Sequence, residues 1–292
     1  MSPSITPSIR SGDLLDHYRL EGLAATGGMA SIFRATDTKT GRPVAVKIPH
    51  PERGNGRVVL DRFNREIEII RKFDHPGLVK VLPDDCASRR YVVMEWVEGR
   101  VLREILDEQR KLSVERALGI TLAICDALEY IHGRGVVHRD LKPDNVMVDI
   151  ADNIKLIDFG IARETKLSLW RRAIPREAMG TPDYVSPEQI KGKRGDARSD
   201  IYSLGIMLFE MLTGEVPFSG LHPLSALNMR LMIDPPSLSE IDPDVSPQME
   251  AIVRRALARD PANRYRSASG LASDLSKLPI YEREALESVL SF

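Results

Sequence analysis

The stretch VVHRDLKPDNVMV (residues 136–148) sets a histidine, an arginine, an aspartate, a lysine and an asparagine almost side by side, next to a run fit for a strand. Further on, IDFG (157–160) closes a second such run on Asp158. Ala151-Asp152-Asn153 is a turn between NVMVD (145–149) and IKLID (154–158), so a hairpin brings the end of the second strand back to the start of the first. Asp140, Asn145 and Asp158 are then expected to converge. Asn145 and Asp158 carry hard oxygens of the kind Mg²⁺ prefers, and Asp140 is a carboxylate able to receive a proton. A strand-end Asp followed by Gly is ordinary turn chemistry alone. With HRDLKPDN at this spacing, chance is a poor explanation.

A second charged pair comes from periodicity. A helix predicted over about Leu60–Phe73 has Phe63, Ile67 and Ile70 at helical spacing. Glu66 lies four residues before Ile70 and so on the inward side, whereas Arg62, Arg65, Glu68, Arg71 and Lys72 can face water. An ionised carboxylate turned inward needs a cation.

The elements that must hold these groups fall into two parts. From Tyr18 to about Tyr91 the chain is strand-rich, with VAVKI (44–48) and YVVMEWV (91–97) as short β-branched runs around that one helix. After EGR (98–100) helical patterns take over, near 101–111, 113–133, 199–213, 223–232, 246–258 and 267–277. The reading is α+β: a small β-rich part with one main helix, then a larger, mainly helical part, connected near residues 95–100. In the first part, LAATGGMASIF (23–33) is a turn between strands that nearly spells a phosphate cradle, with Ala25 and Ala30 where glycines would leave bare backbone.

Bulk properties narrow the class. The chain has 292 residues, 42% hydrophobic and 28% charged, with 41 Lys+Arg against 42 Asp+Glu. That balance gives no support to nucleic-acid binding. Cys86 and Cys125 have no metal-ligand spacing and read as buried small hydrophobes in a reduced interior. The apolar run near Ile201–Phe209 falls short of the ~18 residues that would span a bilayer, and MSPSITPSIRSGD has no signal core. A cytoplasmic chain without a membrane segment is expected.

With these residues in view, the sequence resembles the eukaryotic-type (Hanks-type) protein kinases from about Tyr18 to Leu275. The resemblance rests on VAVK with Lys47, the inward Glu66, HRDLKPDN, DFG, GTPDYVSPE (180–188), SDIYSLG (199–205) and DPANR (260–264). GGMA, GTPDYVSPEQI and DIYSLGIMLFEMLTG look most like the bacterial serine/threonine kinases of that family. It implies a bilobal protein-kinase-like fold with an N-lobe (18–94), a hinge (95–100) and a C-lobe (101–275), preceded by a polar tail (1–17) and followed by a terminal helix or linker (276–292). ATP would lie in the cleft.

The resemblance also implies roles. Lys47 would hold the α- and β-phosphates and pair with Glu66, while Asn145 and Asp158 would bind Mg²⁺, with Mn²⁺ as a substitute. Asp140 would orient and deprotonate the acceptor hydroxyl, and Lys142 would steady the γ-phosphoryl group. Ala25, Thr26, Gly27, Gly28, Met29 and Ala30 would cover the phosphates. Backbone groups of Glu95 and Val97 would meet the adenine edge, Met94 would guard the pocket, and Ile32, Ala45 and Met147 would sandwich the ring. His138 and Phe159, with Ile70, resemble an apolar spine rather than bases. Asp200 is expected to anchor the catalytic-loop backbone, and Glu188 to form a buried pair with Arg264.

Lys142 within DLKPDN and Thr181 within GTPDY resemble the Ser/Thr-specific branch, and Thr181 is expected to bond Asp140 and Lys142. Where alanine replaces glycine in a left-handed conformation it costs roughly 1–2 kcal/mol, so a weaker nucleotide grip is expected without loss of catalysis. LWRRAIPREAMG (169–180) lacks Ser, Thr and Tyr, leaving only Thr165 and Ser168 earlier in the segment. Activation without the usual phosphate is therefore expected, with Glu177 a candidate fixed anion facing Arg139. Arg163, Lys166, Arg171, Arg172 and Arg176 around Trp170 make the segment basic, a candidate dock for an acidic partner. The expected activity is transfer from Mg-ATP to Ser/Thr hydroxyls of protein substrates, by a monomer or weak dimer. The alternatives are a pseudokinase scaffold that binds ATP weakly and a kinase-like small-molecule phosphotransferase.

Overall fold

In the computed structural model, residues 10–27, 30–51, 56–84, 88, 90–158, 182–219 and 223–279 are described. The chain divides into two compact units. One comprises the chain up to Asp74 together with Val79–Glu98; the other comprises His75–Leu78 and the chain from Gly99 onward.

The first unit is a five-stranded antiparallel sheet in chain order: β1 (Leu14–Leu15), β2 (Tyr18–Thr26), β3 (Ala30–Asp37), β4 (Pro43–Pro49) and β5 (Val92–Glu95). Strand alternation sorts its side chains onto two faces. Phe33, Ala35, Val44, Val46, Ile48 and Val93 share a core with Leu15, Tyr18, Leu20 and Tyr91. The other face carries Ile32 opposite Lys47, and Ala45 opposite Met94. The helix α1 (Gly56–Ile70) buries Phe63, Glu66 and Ile70. It starts and stops earlier than periodicity suggests. Beyond Ile70 the bonding tightens to i→i+3 turns, Lys72 N–H to Ile69 and Phe73 N–H to Ile70. The polar tail expected to residue 17 also needs correction. Leu14–Leu15 pairs with Tyr18–Arg19, and Leu15 is buried. Two residues are too few for a period to show.

The second unit opens with β6 (Arg100–Val101), α2 (Leu102–Gln109) and α3 (Val114–His132), followed by the hairpin β7 (Val146–Val148) and β8 (Ile154–Leu156). Strands β6, β7 and β8 form an antiparallel sheet in that order. His75–Leu78, inside the stretch read as the first lobe, belongs here. Leu156 N–H donates to Gly77 O at 2.9 Å, and a Cβ on Gly77 would meet the Ala127 methyl at 3.1 Å.

Among the described residues, the remaining α-helices are α4 (Pro187–Ile190), α5 (Ala197–Thr213), α6 (Pro223–Met232), α7 (Leu238–Ile241), α8 (Pro247–Ala256) and α9 (Ala268–Leu275). Their boundaries follow local chemistry. Ser113, Asp196, Ser246 and Ser267 accept N-terminal amides of α3, α5, α8 and α9. Proline opens α4 and α8, and Gly214 ends α5 in a left-handed conformation. The apolar run too short for a bilayer is α5, buried continuously from Ser199 to Leu212. A helix apolar on every side belongs in a core. Among the described residues no helix is long and apolar enough to cross a membrane. Cys125 lies on α3 at 1% exposure, its thiol pushed up to about 12 by burial and so inert. Cys86 lies outside the described residues.

Candidate active site

In the sheet unit, Lys47 Nζ lies 2.8 Å from Glu66 Oε1, the side chains 13% and 9% exposed. The cation required by the inward carboxylate is therefore the lysine of VAVK. Lys47, Ile32, Ala45 and Met94 share one face of the sheet by register, Ile32 of β3 opposite Lys47 of β4 and Ala45 of β4 opposite Met94 of β5. Glu95 N–H donates to Lys80 O at 2.9 Å. That backbone donor is already used.

The hairpin turn between β2 and β3 is closed by Gly27 N–H to Ala30 O at 2.9 Å. Ala25 pairs with Ile32, Ala30 with Pro49, and Ala25 is not among the residues with positive φ. The strain expected from alanine in a left-handed conformation is thus absent at Ala25, because the strand ladder extends further toward the turn than a glycine pattern suggests. Among the described residues, a Cβ on Gly27 would meet only Ala30 O, at 3.7 Å. Gly28 and Met29 lie outside the described residues.

In the helical unit, the hairpin brings its chemistry to one end. Val146 pairs with Leu156, and Ile157 N–H donates to Asn145 O at 3.1 Å, which sets Ile157 opposite Asn145 and Asp158 one residue beyond it. Asn145 is buried, and its Nδ2 donates to Asp140 O at 2.7 Å and approaches Asp140 Oδ2 at 3.4 Å. Its amide nitrogen thus tethers the Asp140 backbone, and the amide oxygen is the end left for a cation. Two hard oxygen donors, one of them a carboxylate, fit Mg²⁺, which ordinarily takes its remaining ligands from water and phosphate. Lys142 and Met147 are half-buried.

Asp200 organises the loop that presents Asp140. Fully buried, it accepts from His138 N–H, Arg139 N–H and His132 Nε2, each at 2.8 Å. Arg139 has φ of 65°, a left-handed conformation that a non-glycine residue adopts at a cost of roughly 1–2 kcal/mol. A second brace holds it: Gln189 Nε2 donates to Arg139 O at 3.1 Å. His138 is fully buried and burial lowers its pKa, so it is held neutral, as a packing residue should be.

Glu188 and Arg264 form a bidentate buried pair, both contacts 2.8 Å. Burial alone would raise the Glu188 carboxyl. The Arg264 hydrogen bonds and charge, with the Ser199 hydroxyl, outweigh that and hold it below its usual range. Arg264 also donates to the carbonyls of Ala258, Arg198 and Arg259. Sequence reasoning missed a neighbouring triad. Arg103 on α2 and the Tyr184 hydroxyl both bond Glu210 on α5, each at 2.5 Å. Only the place of Tyr184 as the last residue of GTPDY could have signalled it. Thr181, Phe159 and the activation segment, including Thr165, Ser168, Trp170 and Glu177, lie outside the described residues.

The protein kinase domain family matches residues 18–275 of this chain. A probable serine/threonine-protein kinase of Streptomyces coelicolor is 41% identical over 263 residues, 88% of this chain and 39% of that protein. The serine/threonine-protein kinase PknB of Mycobacterium tuberculosis is 36% identical over 270 residues, 91% of this chain and 43% of that protein. The chain thus spans about two fifths of the length of these curated relatives. Among solved structures, the M. tuberculosis PknI kinase domain superposes with a TM-score of 0.70 at 26% identity, covering 92% of this chain and 99% of that one. Residues 1–466 of Rad53 in complex with AMP-PNP give 0.72 at 27% identity, covering 88% and 64%. With a family match over residues 18–275, this chain belongs to the protein kinase family, in the Hanks-type branch whose bacterial members are named serine/threonine-protein kinases.

Proposed function

We propose that this domain transfers the γ-phosphoryl group of Mg-ATP to serine and threonine hydroxyls of protein substrates. The observation that carries the reading is the hairpin end of the helical unit, where Asn145 tethers the Asp140 backbone and accepts from Ile157 N–H, the residue before Asp158. The Lys47–Glu66 pair of the sheet unit supports it.

In this reading the acceptor oxygen bonds to the γ-phosphorus as the bond from that phosphorus to the bridging oxygen breaks, releasing ADP. The acceptor proton passes to the Asp140 carboxylate. Lys142 meets the charge on the transferred group, and Lys47, oriented by Glu66, binds the α- and β-phosphates. Asn145 and Asp158 would hold Mg²⁺, which when bound would neutralise negative charge on the nucleotide phosphates. Ile32, Ala45, Met94 and Met147 contact the adenine ring. Because Glu95 N–H is committed to Lys80, the adenine contact from Glu95 falls to its carbonyl, with Val97 supplying the donor. Most of the rate then comes from positioning and charge stabilisation, since the transition state is loose and needs little covalent help.

Incubation with Mg-[γ-³²P]ATP and a generic basic protein tests this. Labelled phosphoserine and phosphothreonine are expected. Label on tyrosine alone, or on small molecules but no protein, would overturn the acceptor assignment.

A further inference from the structure

The hairpin of residues 25–30 carries alanine at 25 and 30, where a phosphate cover is expected to have bare backbone, and a different device holds its mouth. Thr26 and Ser31 are the last cross-strand pair before the turn, and their hydroxyls meet at 3.0 Å. Ser31 Oγ in turn lies 2.9 Å from His50 Nε2. Ser31 pairs with Ile48 on β4, two residues before His50, so the three side chains lie on one face by register. That face is the one carrying Phe33, Val46 and Ile48, opposite the face of Lys47 and Ile32.

Ser31 is only 6% exposed. A buried hydroxyl at the edge of an apolar core is costly unless bonded, and this one has a partner on either side. A hydroxyl both donates and accepts, so the chain can run from Thr26 to His50 or in reverse without losing a bond.

We propose that Thr26, Ser31 and His50 are positioning residues for the nucleotide. They form a relay across three strands that pins the mouth of the hairpin from the side of the sheet remote from Lys47. The proposal rests on the reading of residues 25–30 as a phosphate cover. A turn with alanines at its flanks has less freedom to settle onto phosphates, so where its mouth is fixed decides how well it fits. The relay fixes it to the end of β4, the strand that carries Lys47.

The test is steady-state kinetics with Mg-ATP on Thr26→Val, His50→Ala, their double variant and His50→Gln, beside calorimetric titration of the wild type with Mg-ATP. Thr26→Val keeps shape and strand preference at an exposed position. Thr26→Val and His50→Ala should each raise KM for ATP about three- to tenfold, the worth of one hydrogen bond, with kcat within about twofold. The double variant should raise it by less than the product, because both cut one chain. His50→Gln, which keeps a polar group at the reach of Nε2, should recover most of the affinity. Unchanged KM in both single variants, effects that multiply fully, or a lower melting temperature with unchanged KM would each overturn the relay. Failure of the wild type to bind Mg-ATP would overturn the cover itself, and the relay with it.

Discussion

Asp200→Asn exchanges one oxygen for an amide nitrogen at the anchor of the catalytic loop. Oδ2 accepts from His138 N–H and His132 Nε2, and Oδ1 from Arg139 N–H. Whichever way the new amide turns, its NH₂ faces a backbone N–H, so at least one charge-assisted bond is lost. Such a bond is worth about 1.5–3 kcal/mol. Removing a fully buried negative charge recovers some desolvation, which favours the lower half of that range. A loss of about 1.5–2.3 kcal/mol corresponds to a fall in Tm of roughly 3–9 °C for a unit of this size, and leaves the protein folded. The larger effect should be on rate. Arg139 at φ of 65° relies on Asp200 and Gln189 to hold its conformation, and Asp140 is the next residue. A shift of about 1 Å in a catalytic group can cost 10²-fold, so kcat should fall about 10- to 100-fold while KM for ATP changes little. Urea titration and steady-state phosphate transfer measure both. Stability loss with undiminished kcat would refute the argument that Asp200 acts by positioning Asp140, and no loss of either would refute the anchoring itself.

Two further outcomes follow. Glu188→Gln should destabilise by roughly 3–5 kcal/mol at neutral pH, as a buried arginine loses its partner. Because the Glu188 carboxyl is held below its unfolded value of 4.5, its contribution is full above that pH and disappears as pH falls through the lower folded value, so urea midpoints of wild type and variant should converge in acid. Ala25→Gly should not repay backbone strain, since Ala25 sits in a strand without positive φ. Calorimetry should show less than about a tenfold gain in Mg-ATP affinity, and melting should show a loss of about 0.5–1 kcal/mol from glycine in a strand.

The hairpin of residues 145–158 was legible because a tight turn between two short strands leaves little choice of register, and register alone sets Asn145 opposite Ile157, the residue before Asp158. Helix ends were legible where a Ser or Gly marks them, as at Ser113 and Gly214, whereas the helix expected from 199 begins earlier, at Ala197 after its cap Asp196. The inward direction of Glu66 followed from a 3.6-residue period, and its distance to Lys47 agrees with it. Other features carry no period. β1 and β6 are two residues each, and only their neighbours make them strands. The bonds from Gln189 to Arg139, from Arg103 to Glu210 and from Ser31 to His50 join segments distant in sequence through polar side chains of ordinary type. Such residues read as solvated until the chain is folded.

The account stands most directly on single-turnover phosphate transfer by wild type and Asp140→Asn at saturating Mg-ATP. Asp140→Asn should bind Mg-ATP with wild-type affinity and transfer phosphate at least about 10²-fold more slowly, the usual worth of a positioned general base. Equal rates, or a wild type that binds Mg-ATP and transfers nothing, would contradict it.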